Sequence, residues 1–284
     1  MPKVVGRSPI YAALCVHFCT EYALAKSYHF FIYLQRYSKD RDVQMLEADI
    51  VLGQLIGKEG PPIPVMAHPP ATTSDLSLGD FLSIVAQHNK GIAKDKQKGV
   101  KLDFKSIEAF EKAQDLIVTF PLWLNADILP GPVAATTKPL DPEKFIKLAS
   151  NHPRAVLSVG WTTRYGGNIT EGEYTRQQIG TMLRMVNALK VNQTITFPVR
   201  AGLASNSQPV ILDLLRETRA LGSSVTVWSA EGDAVAVERL RALILTVGLE
   251  HTYLDVPAEL AARLQLPGLL AFSLIYYHFI FHNL

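Results

Sequence analysis

Seven short stretches of this chain either alternate apolar and polar residues or run apolar throughout: MLEADIV, GVKLDFK, LWLNADI, AVLSVGW, TITFPVR, SVTVWSA and TYLDVP. Such runs predict strands. Between them lie SLGDFLSIVAQHN, SIEAFEKAQDLIV, DPEKFIKLASNH, TRQQIGTMLRMVNALK, QPVILDLLRETRALG and DAVAVERLRALILTVG, whose apolar residues recur at intervals of three and four, the period of a helix with one buried face. Strand and helix in alternation predict a parallel sheet with helical crossovers, because parallel neighbours cannot be joined by hairpins.

One further strand, from the poorly patterned N-terminal region, brings the total to eight, the number that closes a (β/α)8 barrel of about 250 residues. The run IPVMAH follows MLEADIVL after the Gly- and Pro-containing loop GQLIGKEGPP with no helix between, and it reads as a hairpin-like return above the barrel. Residues 1–40 are expected to form a divergent N-terminal segment, 41–266 the barrel domain and 267–284 a hydrophobic tail. The tail, LLAFSLIYYHFIFHNL, is interrupted by His278 and His282 and is shorter than the ~20 apolar residues of a membrane-spanning helix. The opening run IYAALCVHFC contains His17 and no small-residue cleavage pattern, so no signal peptide is expected, and both extracellular and cytoplasmic locations stay open.

Charge narrows the classes of partner. The chain carries 28 basic and 26 acidic residues, well mixed along its 284 positions, which argues against a nucleic-acid-binding stripe. The basic cluster KDKQKGVK reads as a solvated loop leading into a strand. Both cysteines, Cys15 and Cys19, fall in the first twenty residues, so the core relies neither on disulfides nor on a Cys-based zinc site.

Alternate residues of a strand share a face. Glu47 and Asp49 therefore project together, as do Asp103 and Lys105, and His68 in PVMAHPP lies between the two pairs in sequence. Carboxylates gathered at strand ends hold hard cations, and with no dense histidine or cysteine cluster the expected ion is Mg²⁺ or Ca²⁺. Lys105 would add a second positive charge beside a phosphoryl group, and His68 would carry a proton to or from the departing oxygen. Asn125 and Asp127 repeat the same-face spacing on the next strand, and either extend the polar cavity or form a buried network. Arg200 either contacts an anionic substrate or pairs with a neighbouring acid, while Trp161 and Trp228 either line the mouth or pack. His88, His152 and His251 read as structural.

The stretches LEADI, PVMAHPP, GVKLDFKSIEA, WLNADIL, GPV, LSVGWTT, YTR, ITFPVRA and VTVW together resemble the menorin family. That resemblance implies a TIM-type barrel like those of glycerophosphodiester phosphodiesterases and phospholipase C. It implies Glu47, Asp49 and Asp103 as metal ligands, His68 as proton donor to the leaving alkoxide and Lys105 as the lysine that neutralises phosphate charge. It also implies a histidine on the first strand after an aromatic residue. His29, after Tyr28 in SYHFFIY, is the nearest candidate and His17 the other, but FFIYLQRY departs from the small polar stretch expected next.

Two functions follow. One is metal-assisted hydrolysis of a small or lipid phosphodiester. The other is a non-catalytic binding or signalling protein that engages a protein partner, in line with the family's association with neurite patterning and neuronal maintenance.

Overall fold

The computed structural model describes residues 15–17, 45–117 and 121–267, the first of these segments by its backbone alone. Strands are β1 (Cys15–His17), β2 (Met45–Leu55), β3 (Ile63–Met66), β4 (Thr73–Ser74), β5 (Gly99–Phe104), β6 (Leu122–Leu129), β7 (Val156–Trp161), β8 (Ile195–Arg200), β9 (Ser224–Trp228) and β10 (Thr252–Asp255). Helices are α1 (Leu78–Asn89), α2 (Ile107–Ala113), α3 (Pro142–Ala149), α4 (Arg176–Ala188), α5 (Ala201–Ala204), α6 (Gln208–Glu217), α7 (Val237–Val247) and α8 (Ala258–Leu264).

Eight strands follow one another in the order β1-β2-β5-β6-β7-β8-β9-β10, every neighbouring pair parallel. The sheet curls until β10 comes close to β1, although the two form no ladder among the described residues. The chain is therefore an α/β protein built on a curled, mostly parallel sheet. The return expected from IPVMAH is β3, which pairs antiparallel with β2 from Ile50↔Met66 to Gly53↔Ile63.

Local chemistry sets the helix starts. Ser77 accepts from Asp80 N and Ser106 from Ala109 N, both at 3.1 Å, and Asp141 accepts from Lys144 N at 3.0 Å just before Pro142. Thr175 and Gln178 form a reciprocal capping box. Each cap satisfies an orphan N–H of the first turn, contributing about 1 kcal/mol. The apolar helix faces then bury against the outside of the sheet. Phe104 on β5 stacks on Phe110 of α2 at 4.3 Å between ring centroids, and Phe110 meets Phe145 of α3 at 4.9 Å.

The other face of the sheet lines its concave interior in layers fixed by register. Lowest is an apolar group, Met45 and Trp123 with Val156 and Tyr253 against them; the Trp123 and Tyr253 rings meet edge to face at 4.5 Å. Above it the interior turns polar. Ser158 Oγ donates to Asn125 Oδ1 at 2.6 Å, and the Thr196 and Thr226 hydroxyls bond at 2.9 Å. The β7–β8 ladder stops at Ser158↔Thr196, two residues short of Pro198, which has no N–H to offer.

Candidate functional site

Register decides which charged side chains meet. Glu47 lies opposite Lys101 and Asp49 opposite Asp103 across the β2–β5 ladder, so two layers of charge are stacked along the strands. In the deeper layer Lys101 Nζ pairs with Glu47 Oε1 at 2.9 Å, both side chains almost wholly buried. In the upper layer Lys105 Nζ lies 2.9 Å from Asp49 Oδ1 and 2.6 Å from Asp103 Oδ2, bridging the two carboxylates. The lysine ammonium thus takes the point on which both acids converge.

Among the described residues, three carboxyl groups face two ammonium groups in this buried cluster. Burial pushes Asp103 above the usual carboxylate range, the Lys105 ammonium opposes this, and the Asp49 and Glu47 carboxylates reinforce it. Burial alone would lower Lys105, but Asp103 and Asp49 outweigh it and hold the ammonium well above its ordinary value. Lys105 keeps its proton.

Asp127 stands one step further along β6 and opens onto the mouth. Its carboxyl is pushed up to about 7, first by the protein packed around it and then by Asp103, against Lys105 and Lys101. Water reaching the mouth screens part of that effect. Asn125 points inward below it and is held by Ser158.

On the far side of the mouth Arg200 is fully engaged. Its Nε and Nη2 donate to Asp233 Oδ2 and Oδ1, each at 2.8 Å, and its guanidinium lies 4.8 Å from the Trp228 ring centroid and 5.5 Å from that of Tyr165. Its backbone N–H donates to Tyr174 Oη at 3.0 Å. Arg200 thus pairs with a neighbouring acid, one of the two roles left open to it by the sequence. Trp228 is half-buried beneath it, whereas Trp161 is buried in the core against Tyr174 and Phe197. An open cavity of about 860 Å³ lies beside this clasp, between Tyr165 and Arg239, and none of the mouth carboxylates lines it.

His68 is exposed just beyond β3. Ala67 N donates to Asp49 O at 3.1 Å, so the histidine follows directly on the backbone step that docks β3 beside Asp49. Its Nδ1 lies 2.7 Å from Pro69 O. His29 lies outside the described residues, as does nearly all of the hydrophobic tail. The described N-terminal strand instead places His17 at the register position of Glu47.

Among the described residues no group of three or more His, Cys, Asp and Glu side chains is arranged to hold a metal ion. The arrangement of Glu47, Asp49 and Asp103 has a physical cause: Glu47 sits one layer below the other two and faces Lys101. Asp233 was not singled out in the sequence, and Lys101, expected at the end of the solvated cluster KDKQKGVK, is instead buried on β5, as Lys98 is buried just before it. The Lys-x-Asp-x-Lys alternation of β5 did carry a signal for Lys101, while Asp233 sits in a loop after β9 where no spacing marks it.

The described residues define an α/β protein with a curled, mostly parallel sheet and charged groups gathered on its concave side. A match to the Menorin N-terminal domain family spans residues 33–261, and the human Protein FAM151B is 36% identical over 203 residues, covering 69% of this chain and 68% of its own length. The chain belongs to the menorin family. A crystallised Plasmodium falciparum HPPK-DHPS is also similar in shape at a TM-score of 0.44 and 16% identity, over 84% of this chain and 45% of that longer one, a likeness too slight to carry argument. No helix among the described residues is long and apolar enough to cross a membrane.

Proposed function

We propose that this menorin-family protein is a phosphodiesterase-like hydrolase whose reaction site is the mouth of a closed eight-stranded barrel of the phospholipase C kind. One observation carries the reading: Asp49 and Asp103, in register on adjacent strands, direct both carboxylates at one point now held by the Lys105 ammonium.

Hard oxygen donors that converge on a positive centre suit Mg²⁺ or Ca²⁺ as well as an ammonium, so ion and lysine compete for the same position. Asp49 and Asp103 would hold the ion, with Glu47 retained by Lys101 below them. A bound divalent ion supplies Lewis-acid polarisation of a phosphoryl oxygen. Lys105, whose side chain is 22% exposed, then turns its charge outward to the phosphate. His68, exposed at the same rim, gives a proton to the departing alkoxide. Arg200 keeps Asp233 and shapes the wall of the mouth.

Calorimetric titration with Mg²⁺ and Ca²⁺, alongside turnover of bis(p-nitrophenyl) phosphate, tests this. Wild-type protein is expected to bind one ion and turn over the diester, and Asp49→Ala to lose both. Absence of binding and turnover in wild-type protein would leave the barrel as a binding module for a protein partner and end the hydrolase reading.

A further inference from the structure

We infer that Asp127 is a catalytic general base, the second proton-transfer group of the mouth opposite His68; this rests on the hydrolase reading above. Glu47, Asp49 and Asp103 are each in ion-pair contact with a lysine. Asp127 differs from them: it is exposed, and among the described residues no donor or cation is in hydrogen-bond or ion-pair contact with its carboxylate. The neighbouring strand leaves it room. Asp127 pairs with Gly160 across the β6–β7 ladder, where a Cβ would come within 3.3 Å of Asp127 Oδ1. The register shifts directly after it, between Asp127 and Leu129, and such bulges re-aim side chains at functional rims.

Its placement suits displacement at phosphorus. His68 follows the docking of β3 on β2, Asp127 rises from β6, and β5 with Asp103 and Lys105 runs between those strands. With strands about 4.8 Å apart, the two groups flank the Lys105 position from opposite sides, three strand spacings or roughly 14 Å apart at the backbone, a gap that their side chains narrow from either edge. Asp127 takes a proton from water as the water oxygen forms its bond to phosphorus. The bond from phosphorus to the departing alcohol breaks with its electron pair on that oxygen, which takes a proton from His68. The products are a phosphomonoester and an alcohol, and exchange with solvent resets both groups. The raised proton affinity of Asp127 agrees with this role, since it faces Asp103, Lys105 and Lys101 from the neighbouring strand.

The test uses the full chain with Mg²⁺, bis(p-nitrophenyl) phosphate and a dialkyl phosphodiester. Asp127→Asn is expected to lower kcat about 100-fold or more on both substrates while Mg²⁺ affinity and near-UV circular dichroism stay unchanged. Asp127→Ala should regain turnover when formate is added. His68→Ala should lower kcat more on the dialkyl phosphodiester than on the nitrophenyl diester, whose leaving group needs less acid, and an equal loss on both would remove His68 as the acid facing Asp127. Asp127→Asn within about threefold of wild-type turnover, no rescue of folded Asp127→Ala by formate, or loss of Mg²⁺ binding in place of turnover would each overturn the assignment. An inactive wild-type protein would remove the hydrolase reading and this one together, whereas an active wild type with an unaffected Asp127→Asn removes only the base.

Discussion

Replacing Lys101 by methionine takes from the Glu47 carboxylate the ammonium that faces it in a layer almost closed to water. At the observed 2.9 Å separation the pair attracts by about 6 kcal/mol for an effective dielectric of 20, before the cost of desolvating both charges. Removing one partner of such a buried pair costs about 3–5 kcal/mol, because a charge held away from water loses the counter-ion facing it. For a domain of this size each 1 kcal/mol moves the melting temperature by roughly 2–4 °C, so Lys101→Met should lower Tm by about 6–20 °C. The double variant Glu47→Leu/Lys101→Met leaves no orphaned charge and should recover most of the loss. Urea denaturation and calorimetric melting of the single and double variants close the cycle. A single variant within about 1 kcal/mol of wild type, or a double variant no better than the single, would refute the view that these residues are joined as a buried pair.

Arg200→Met should cost about 3–5 kcal/mol in denaturant unfolding, since Asp233 is left nearly buried without its fork; Arg200→Lys keeps the charge and should lose about 1–3 kcal/mol. Asp127 binds a proton more tightly in the folded chain than in the unfolded one, so between about pH 4 and 7 the native state carries more protons and stability falls as pH rises. Without divalent ions Asp127→Asn should lack that fall and be more stable than wild type at pH 8, by on the order of 1 kcal/mol once screening in the mouth is allowed for, with little difference at pH 4. Gly131→Ala drives a Cβ into the Thr162 carbonyl and disturbs the bond from Gly131 N to Thr162 Oγ1, so urea titration should register a loss of about 1–3 kcal/mol.

Strand period made half of the mouth readable in the sequence. Glu47 and Asp49 share a face of β2 because alternate residues must, and Asp103 on β5 is followed by Lys105 one residue past the strand's end. The return strand was equally legible, since a Gly- and Pro-rich loop too short for a helix leaves β3 only an antiparallel partner. What spacing along one strand cannot give is the register between two. Glu47 meets Lys101, and Lys105 meets both aspartates, only once β2 and β5 are aligned, so a set of ligands in sequence became a set of ion pairs in space. Asp233 reaches Arg200 from a loop 33 residues on, with nothing periodic to announce it. The strand at Cys15–His17 has three residues, too few for alternation to show.

Trp123 and Tyr253, meeting edge to face, make a packed base beneath the charged layers of the sheet's interior. The carboxylates above it therefore rest on a foundation that resists collapse when their charges change. Shaving that base to smaller side chains would loosen it, with the Glu47–Lys101 layer lying between the change and the Asp49–Asp103 pair.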